Sequence, residues 1–278
     1  MTDTLLDDLN AAVGMVPSIP RVEFAPGLPA DADRWLMKKH ANGAVHEPAT
    51  IAAFLAARKW RDCRTVFDVG AGFGYFSLLC RQVFPDAEIT AFEMHPASYP
   101  SLRANVRPAG RCVKAAVSDV FRKDVMIWLS GFNIFEEPEG GWNALQNDPA
   151  AMKPRGLNNS GRGFTTVDFI TLDDYCQTAA APDVIKIDVE AYQAKAVLGG
   201  VETFRRNKPF VIIELHDPEK VHRLGTTNVE TVRPFYDMGY QGFWCGNFRT
   251  PDARFERVER MTGIRYSAAS KRLRSSGA

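Results

Sequence analysis

The sequence predicts an α/β fold in which a mostly parallel sheet carries helices on both faces. Three observations predict it. From residue 65 onward, short apolar and β-branched runs alternate with helical segments, the pattern of a parallel sheet built from crossover units. The first run, Thr65–Val69, passes into Gly70, Ala71, Gly72, Phe73 and Gly74 and then into a helix-like Tyr75–Cys80. Strand, glycine turn and helix is how nucleotide-binding sheets open. Third, acids stand where later strands end, at Glu93, Asp188 and Glu214, and open sheets of this kind bind ligands at those ends.

Composition narrows the classes. A chain of 278 residues, 45% apolar and 24% charged, is that of an ordinary globular protein with room for a substantial core. Net charge is +1, from 34 Lys and Arg against 33 Asp and Glu. Such balance offers no footprint for a nucleic-acid backbone, so nucleic acid is not expected as a partner. The five cysteines, Cys63, Cys80, Cys112, Cys176 and Cys245, are scattered singly and lack metal-ligand spacing. The acidic start Met1–Asp8 is unlike a signal peptide, and no apolar run is long enough to span a bilayer. A reducing, cytoplasmic setting without membrane contact is expected.

Taken in order, residues 1–45 form an N-terminal extension. Pro17, Pro20, Pro26 and Pro29 break it into short extended pieces that wrap the main domain or cover its site. His46–Arg58 reads as a helix with Pro48 in its first turn and an apolar stripe of Ile51, Phe54 and Leu55. The strand Thr65–Val69 precedes a helix over 74–83, a strand Ala87–Phe92, a helix Ala97–Val106 and a strand Arg111–Val117. Val125–Leu129 and Thr165–Phe169 then read as strands of an inserted β-hairpin, with a long Gly- and Pro-rich lid between them. A short helical segment follows at Thr171–Cys176. Next come a buried strand Asp183–Ile187, one helix Ala191–Arg206, a strand Phe210–Ile213, a helix Val229–Met238 and a strand Tyr240–Trp244. The main domain thus covers 46–265 with the insertion at about 125–169, and residues 266–278 form a basic tail.

The glycines discriminate between ligands. In the dinucleotide fingerprint a third glycine lies three positions after the second, and here that place holds Tyr75. Asp68 followed by alternate glycines at 70, 72 and 74 suits a ligand without a pyrophosphate. Glycines admit close backbone approach, and the helix start offers N–H groups to a carboxylate. Asp68 can complement a positively charged amino group, and Glu93 is placed to accept from two ribose hydroxyls.

These residues resemble the first motif of class I S-adenosylmethionine-dependent methyltransferases, and the segments downstream sharpen the resemblance to the FkbM family. Its carriers are Glu47-Pro48, Phe67–Gly74, Ala91–Glu93, Ala115–Asp119, Asn159–Gly161, Thr171–Asp173, Ile185–Glu190, Val197–Gly199 and Glu214–His216. They occur in the family's order over roughly residues 45–216. The family commonly continues its Asp-Val-Glu with Gly, a small residue and Glu. This chain has Ala191-Tyr192-Gln193 there, so any role of that second acid is in doubt.

The resemblance implies a Rossmann-like class I methyltransferase sheet and O-methyl transfer from S-adenosyl-L-methionine to a hydroxyl of a small molecule, natural product, sugar or glycan. It implies a cofactor site of Glu47, Asp68, Gly70, Ala71, Gly72, Gly74, Glu93, Met94, Ser118, Asp119 and Asp188. Ser118 or Asp119 would reach the adenine amino edge, and His95 would join the adenosine rim. Strand-end position and the need for a base select His216, Asp188 and Glu190 as catalytic candidates. Glu214, His46, Phe132 and Trp142 are the acceptor-side candidates. A divalent ion could lower the pKa of the hydroxyl, but no metal ligands are assigned, since the Asp-Asn pair of catechol-type enzymes is not evident. Two alternatives stay open: an NAD(P)-dependent oxidoreductase, disfavoured by Tyr75, and a non-catalytic cofactor-binding partner protein. Oligomeric state is open too, a homo-oligomer included.

Overall fold

A computed structural model describes residues 2–16, 22–26, 38, 45–60, 62–107, 109–130, 133–136, 162–216, 218–243 and 263–266. The chain opens with helix α1 (Thr2–Met15), which packs on α2 (Pro48–Trp60). This corrects the expectation of short extended pieces. All four prolines lie beyond Met15, and Leu9, Ala12 and Val16 recur at helical spacing and are buried. They join Ile51, Phe54 and Leu55 in a core on one face of the sheet.

The central sheet begins with β1 (Thr65–Val69), buried at every position. The glycine turn leads to α3 (Tyr75–Val83), then β2 (Glu88–Phe92), α4 (Tyr99–Val106) and β3 (Gly110–Val113). The expected strand Arg111–Val117 is two. Its end, β4 (Ala116–Val117), leaves the central sheet to pair with β7 (Arg162–Ile170) of a second sheet. Between them lie β5 (Arg122–Ser130) and β6 (Asn133–Glu136), which form an antiparallel hairpin; β7 pairs with the other edge of β5. The hairpin arm is therefore present. Its lid, with Phe132 and Trp142, lies outside the described residues.

After α5 (Leu172–Tyr175) the central sheet resumes with β8 (Val184–Ile187). The helix expected over 191–206 is split into α6 (Gln193–Leu198) and α7 (Val201–Asn207) at Gly199 and Gly200. A Cβ on Gly199 would stand 1.8 Å from the Ser118 carbonyl oxygen, so the break lets two backbones touch. Then follow β9 (Phe210–Ile213), α8 (Pro218–His222), α9 (Asn228–Asp237), β10 (Tyr240–Phe243) and β11 (Gly263–Tyr266).

Strand order is β10-β11-β9-β8-β1-β2-β3, with β11 antiparallel to both neighbours and the other pairs parallel. This is the Rossmann-like class I methyltransferase sheet, and β11 is a strand absent from the sequence reading. The second core, on the opposite face, gathers Phe67, Phe92, Phe204 and Phe235. Burial of each such ring contributes roughly 1.5–3 kcal/mol. Among the described residues no helix is long and apolar enough to cross a membrane.

Candidate functional site

A cavity of about 330 Å³ opens at the carboxyl ends of β1, β2, β8 and β9. The chain reverses order on the two sides of β1, which leaves a crevice there. One wall is the glycine turn. Gly70, Gly72 and Gly74 have φ of 81°, 56° and 94°, a region that side chains rarely adopt. Gly70 and Ala71 donate to the Phe92 carbonyl, at 2.9 and 3.0 Å, which pins the turn to the end of β2. A Cβ on Gly70 would meet the Asp188 carbonyl oxygen at 1.8 Å, whereas one on Gly72 would meet nothing within 4 Å. Gly72 lines the cavity, so a side chain there would enter it.

Glu93 clasps the turn. Its Oε2 accepts from the Gly72 N–H at 2.7 Å and its Oε1 from the His95 N–H at 2.6 Å. A carboxylate has about four acceptor positions, so two remain for the hydroxyls of a ribose. Burial, opposed by these two hydrogen bonds, pushes Glu93 from 4.5 up to about 7. The folded state then holds a proton that the unfolded chain releases. Its stabilising effect is full below 4.5 and is lost as pH rises to about 7, roughly 3 kcal/mol in all. Urea denaturation should show stability falling through that window, and Glu93→Gln should remove this part of the slope.

The other wall is a cluster of ionisable groups. Lys186 is 2% exposed. Its Nζ lies 2.8 Å from Asp188 Oδ2 and 4.5 Å above the Phe76 ring. Burial pulls the Lys186 ammonium down, but Asp188, Asp68 and Glu47 outweigh it and hold it above the ordinary lysine range. Burial likewise opposes ionisation of Asp188, and Lys186, a hydrogen bond from Glu214 and His216 overcome it, so Asp188 stays ionised. Burial and the Asp188 and Glu47 carboxylates push Glu214 well above the carboxylate range. The pair thus shares a proton, held mainly on Glu214.

His216 Nε2 faces Glu190 Oε2, Asp188 Oδ1 and Glu214 Oε1 at 3.5, 3.9 and 4.0 Å. Its Nδ1 is buried without a hydrogen-bond partner among the described residues. A neutral ring there carries its hydrogen on Nε2, a tautomer assigned from the contacts. His216 thus turns its N–H edge toward the carboxylates, nearest to Glu190 Oε2 at 3.5 Å, and the acids are the candidate proton acceptors. Glu190 and Ala191 turn at φ of 51° and 81°, a left-handed pair costing on the order of 1–2 kcal/mol per residue. That strain aims Glu190 at His216 and at Lys220, which closes an ion pair with it.

Asp188, Glu214 and His216 each offer an atom within 4.8 Å of the others, a set that could hold a metal ion. Two features weigh against it. The Lys186 ammonium already sits on Asp188, and among the described residues Nδ1 lacks the acceptor that orients a metal-bound imidazole.

Of the expected cofactor residues, Glu47, Gly70, Ala71, Gly72, Glu93, Met94 and Asp188 line the cavity. His46 and Glu214 line it also, and His46 Nε2 contacts Glu47 Oε1 at 2.9 Å. Five expected residues stand outside the cavity lining. Asp68 is fully buried, accepts from Ser77 Oγ at 2.6 Å and is pushed up by burial, so it faces α3 instead of the cavity. Gly74 caps α3 behind the turn. Ser118 is buried against Asp119 and Tyr192, and Asp119 is exposed, while Ala115, Ala116 and Val117 form the wall in their place. His216 lies behind the acids, outside the lining. The sequence reading missed Lys186 and Tyr192. Lys186 had a signal, a charge in the middle of an otherwise apolar buried strand.

The methyltransferase FkbM domain model matches residues 68–241, more than half of the 278-residue chain. The chain is 33% identical over 176 residues to 31-O-demethyl-FK506 methyltransferase FkbM of Streptomyces tacrolimicus, covering 55% of this chain and 65% of that protein. It is 39% identical over 79 residues to the type II methyltransferase M.XamI of Xanthomonas campestris pv. amaranthicola, covering 27% of this chain and 15% of that protein. The chain thus spans less than two thirds of either relative. A solved structure, methyltransferase FkbM from Methylobacillus flagellatus KT, aligns over 74% of this chain and 50% of its own, at 13% identity and a TM-score of 0.36.

Proposed function

The chain belongs to the FkbM methyltransferase family, and from that premise we propose that it moves a methyl group from S-adenosylmethionine to a hydroxyl of a small molecule, natural product or sugar. The observation that carries this reading is that one cavity has the Glu93-clasped glycine turn on one side and the Asp188–Glu214 carboxylates on the other.

Bound there, S-adenosylmethionine would supply an electrophilic methyl group for in-line displacement. Gly72 leaves room for it, Glu93 has acceptor positions for ribose hydroxyls, and Ala115, Ala116 and Val117 offer an apolar wall for adenine. An aliphatic hydroxyl needs its proton removed as the new bond forms. Glu214, raised by its neighbours, is a stronger base than an ordinary carboxylate when ionised, and Asp188 beside it takes part in the shared proton. His216 keeps these acids oriented from behind. Val69, Phe73, Tyr75 and Phe76 line the same space and limit water there.

Incubating the full chain with labelled S-adenosylmethionine and a panel of hydroxyl compounds tests the proposal. Label should appear on oxygen, and Asp188→Asn should lower the rate by about 10²-fold or more. Label recovered on nitrogen or carbon, or an undiminished rate in Asp188→Asn, contradicts it.

A further inference from the structure

We propose that Gln193 and Asn228 are positioning residues that set the orientation of His216 through a one-way chain of amide hydrogen bonds. Gln193 opens α6 and is fully buried. Its Nε2 donates to Asn228 Oδ1 at 3.1 Å. Asn228 opens α9, and its Nδ2 donates to the carbonyl oxygen of His216 at 2.9 Å.

The direction is dictated from the far end. A backbone carbonyl only accepts, so the Asn228 NH₂ must face it and the Asn228 oxygen must face Gln193. That oxygen needs a donor, which an amide at 193 supplies and an ionised carboxylate does not. Turning Gln193 over would set two oxygens against each other. The observed orientation holds even though it leaves Gln193 Oε1 buried without a partner among the described residues, a costly arrangement. With Asn228 serving the His216 carbonyl, position 193 requires a hydrogen-bond donor.

The chain ties two loops together. Gln193 follows the left-handed turn of Glu190 and Ala191, and His216 follows β9. Their site groups, Glu190 Oε2 and His216 Nε2, stand 3.5 Å apart. Asn228 is itself anchored beside the Thr227–Glu230 capping box. Neither amide lines the cavity, so their influence on the reaction runs through His216 and rests on the reading of this site as an acceptor site.

The test is ¹⁵N NMR of the histidine rings in the full chain, which has five histidines, with His216 identified by its loss in His216→Gln. In Gln193→Glu at alkaline pH the introduced carboxylate cannot donate, and the His216 ring signals should shift from their wild-type positions. They should return as pH falls and the carboxyl O–H replaces the amide N–H. The titratable groups on the surrounding elements are Lys195 over the Tyr192 ring, Glu190 paired with Lys220, Glu230 in its capping box, and His216. Comparison with wild type at each pH separates their effects. Gln193→Met, which donates at no pH, should shift the signals without return. Unchanged His216 signals in the folded variants overturn the proposal, as does a shift in Gln193→Glu that ignores pH. Should Gln193→Glu fail to fold, Asn228→Ala is read the same way: a displaced His216 supports the proposal and an unmoved one overturns it. S-adenosylhomocysteine affinity, measured in parallel, should stay at the wild-type level in these variants. A wild-type chain that fails to bind S-adenosylhomocysteine overturns the functional reading, while the NMR result still decides the positioning role.

Discussion

Lys186→Met should destabilise the protein by roughly 3–5 kcal/mol, the usual cost of removing one partner from a buried ion pair. Lys186 is 2% exposed and lies 2.8 Å from Asp188. It also offsets Asp68, which is fully buried and has one carboxylate oxygen without a hydrogen-bond partner among the described residues. Methionine fills much of the same volume, so the loss is one of charge more than of packing. Asp188 must then take up a proton, and Asp68 is pushed higher still. The double variant Lys186→Met, Asp188→Asn should recover part of the loss, because the two residues are in contact and their effects do not add. Urea denaturation measures both. A Lys186→Met variant within about 1 kcal/mol of wild type, the range of an exposed ion pair, would show that the pair carries little of the fold.

Gly70→Ala and Gly72→Ala should fail in different ways. At Gly70 a methyl group would lie 1.8 Å from the Asp188 carbonyl oxygen at a φ of 81°. Backbone would have to move, and overpacking together with left-handed strain amounts to roughly 3 kcal/mol or more. The β1 turn and the β8 loop would separate, and the site would go with the stability. At Gly72 the methyl group meets no atom within 4 Å, so the fold loses only about 1–2 kcal/mol from the left-handed backbone. The methyl instead occupies ligand space, and Gly72→Ala should be a folded protein with sharply weakened donor affinity. Thermal denaturation with calorimetry on both variants separates the two. Equal donor affinity in wild type and Gly72→Ala would mean that the cavity beside this glycine is not the donor's.

The sheet was largely legible because each strand of the parallel core is a short apolar run bounded by turn residues. Elements escaped where local pattern and tertiary contact diverge. Ala116 and Val117 continue an apolar run, yet they pair with β7 and leave the strand that begins at Gly110. The break in the long helix was visible as Gly199 and Gly200, but the reason for it, contact with the Ser118 carbonyl, lies 81 residues away in sequence. Strand β11 spans only Gly263–Tyr266 and is placed by pairing with β9 and β10. Nothing in four residues marks it.

In the site, motif residues were found more readily than their directions. Asp68 stands at the expected strand end, but side chains alternate along a strand. It shares its face with Val66, under Ser77 of α3, while the cavity is reached by Val69 and the turn beyond. Glu93 was legible because it follows the last residue of β2, where the chain enters the crevice. His216 was legible as a strand-end histidine. Its lesser role followed only from the acids that surround Nε2 and from the lack of a partner at Nδ1 among the described residues.

A methyl-donor site between the glycine turn and Glu93 is tested most directly by titration calorimetry of the full chain with S-adenosylhomocysteine. One molecule should bind per chain, and Glu93→Ala should weaken binding by at least about tenfold, the effect of roughly 1.4 kcal/mol. No binding by the folded wild-type chain, or the same affinity in Glu93→Ala, would contradict it.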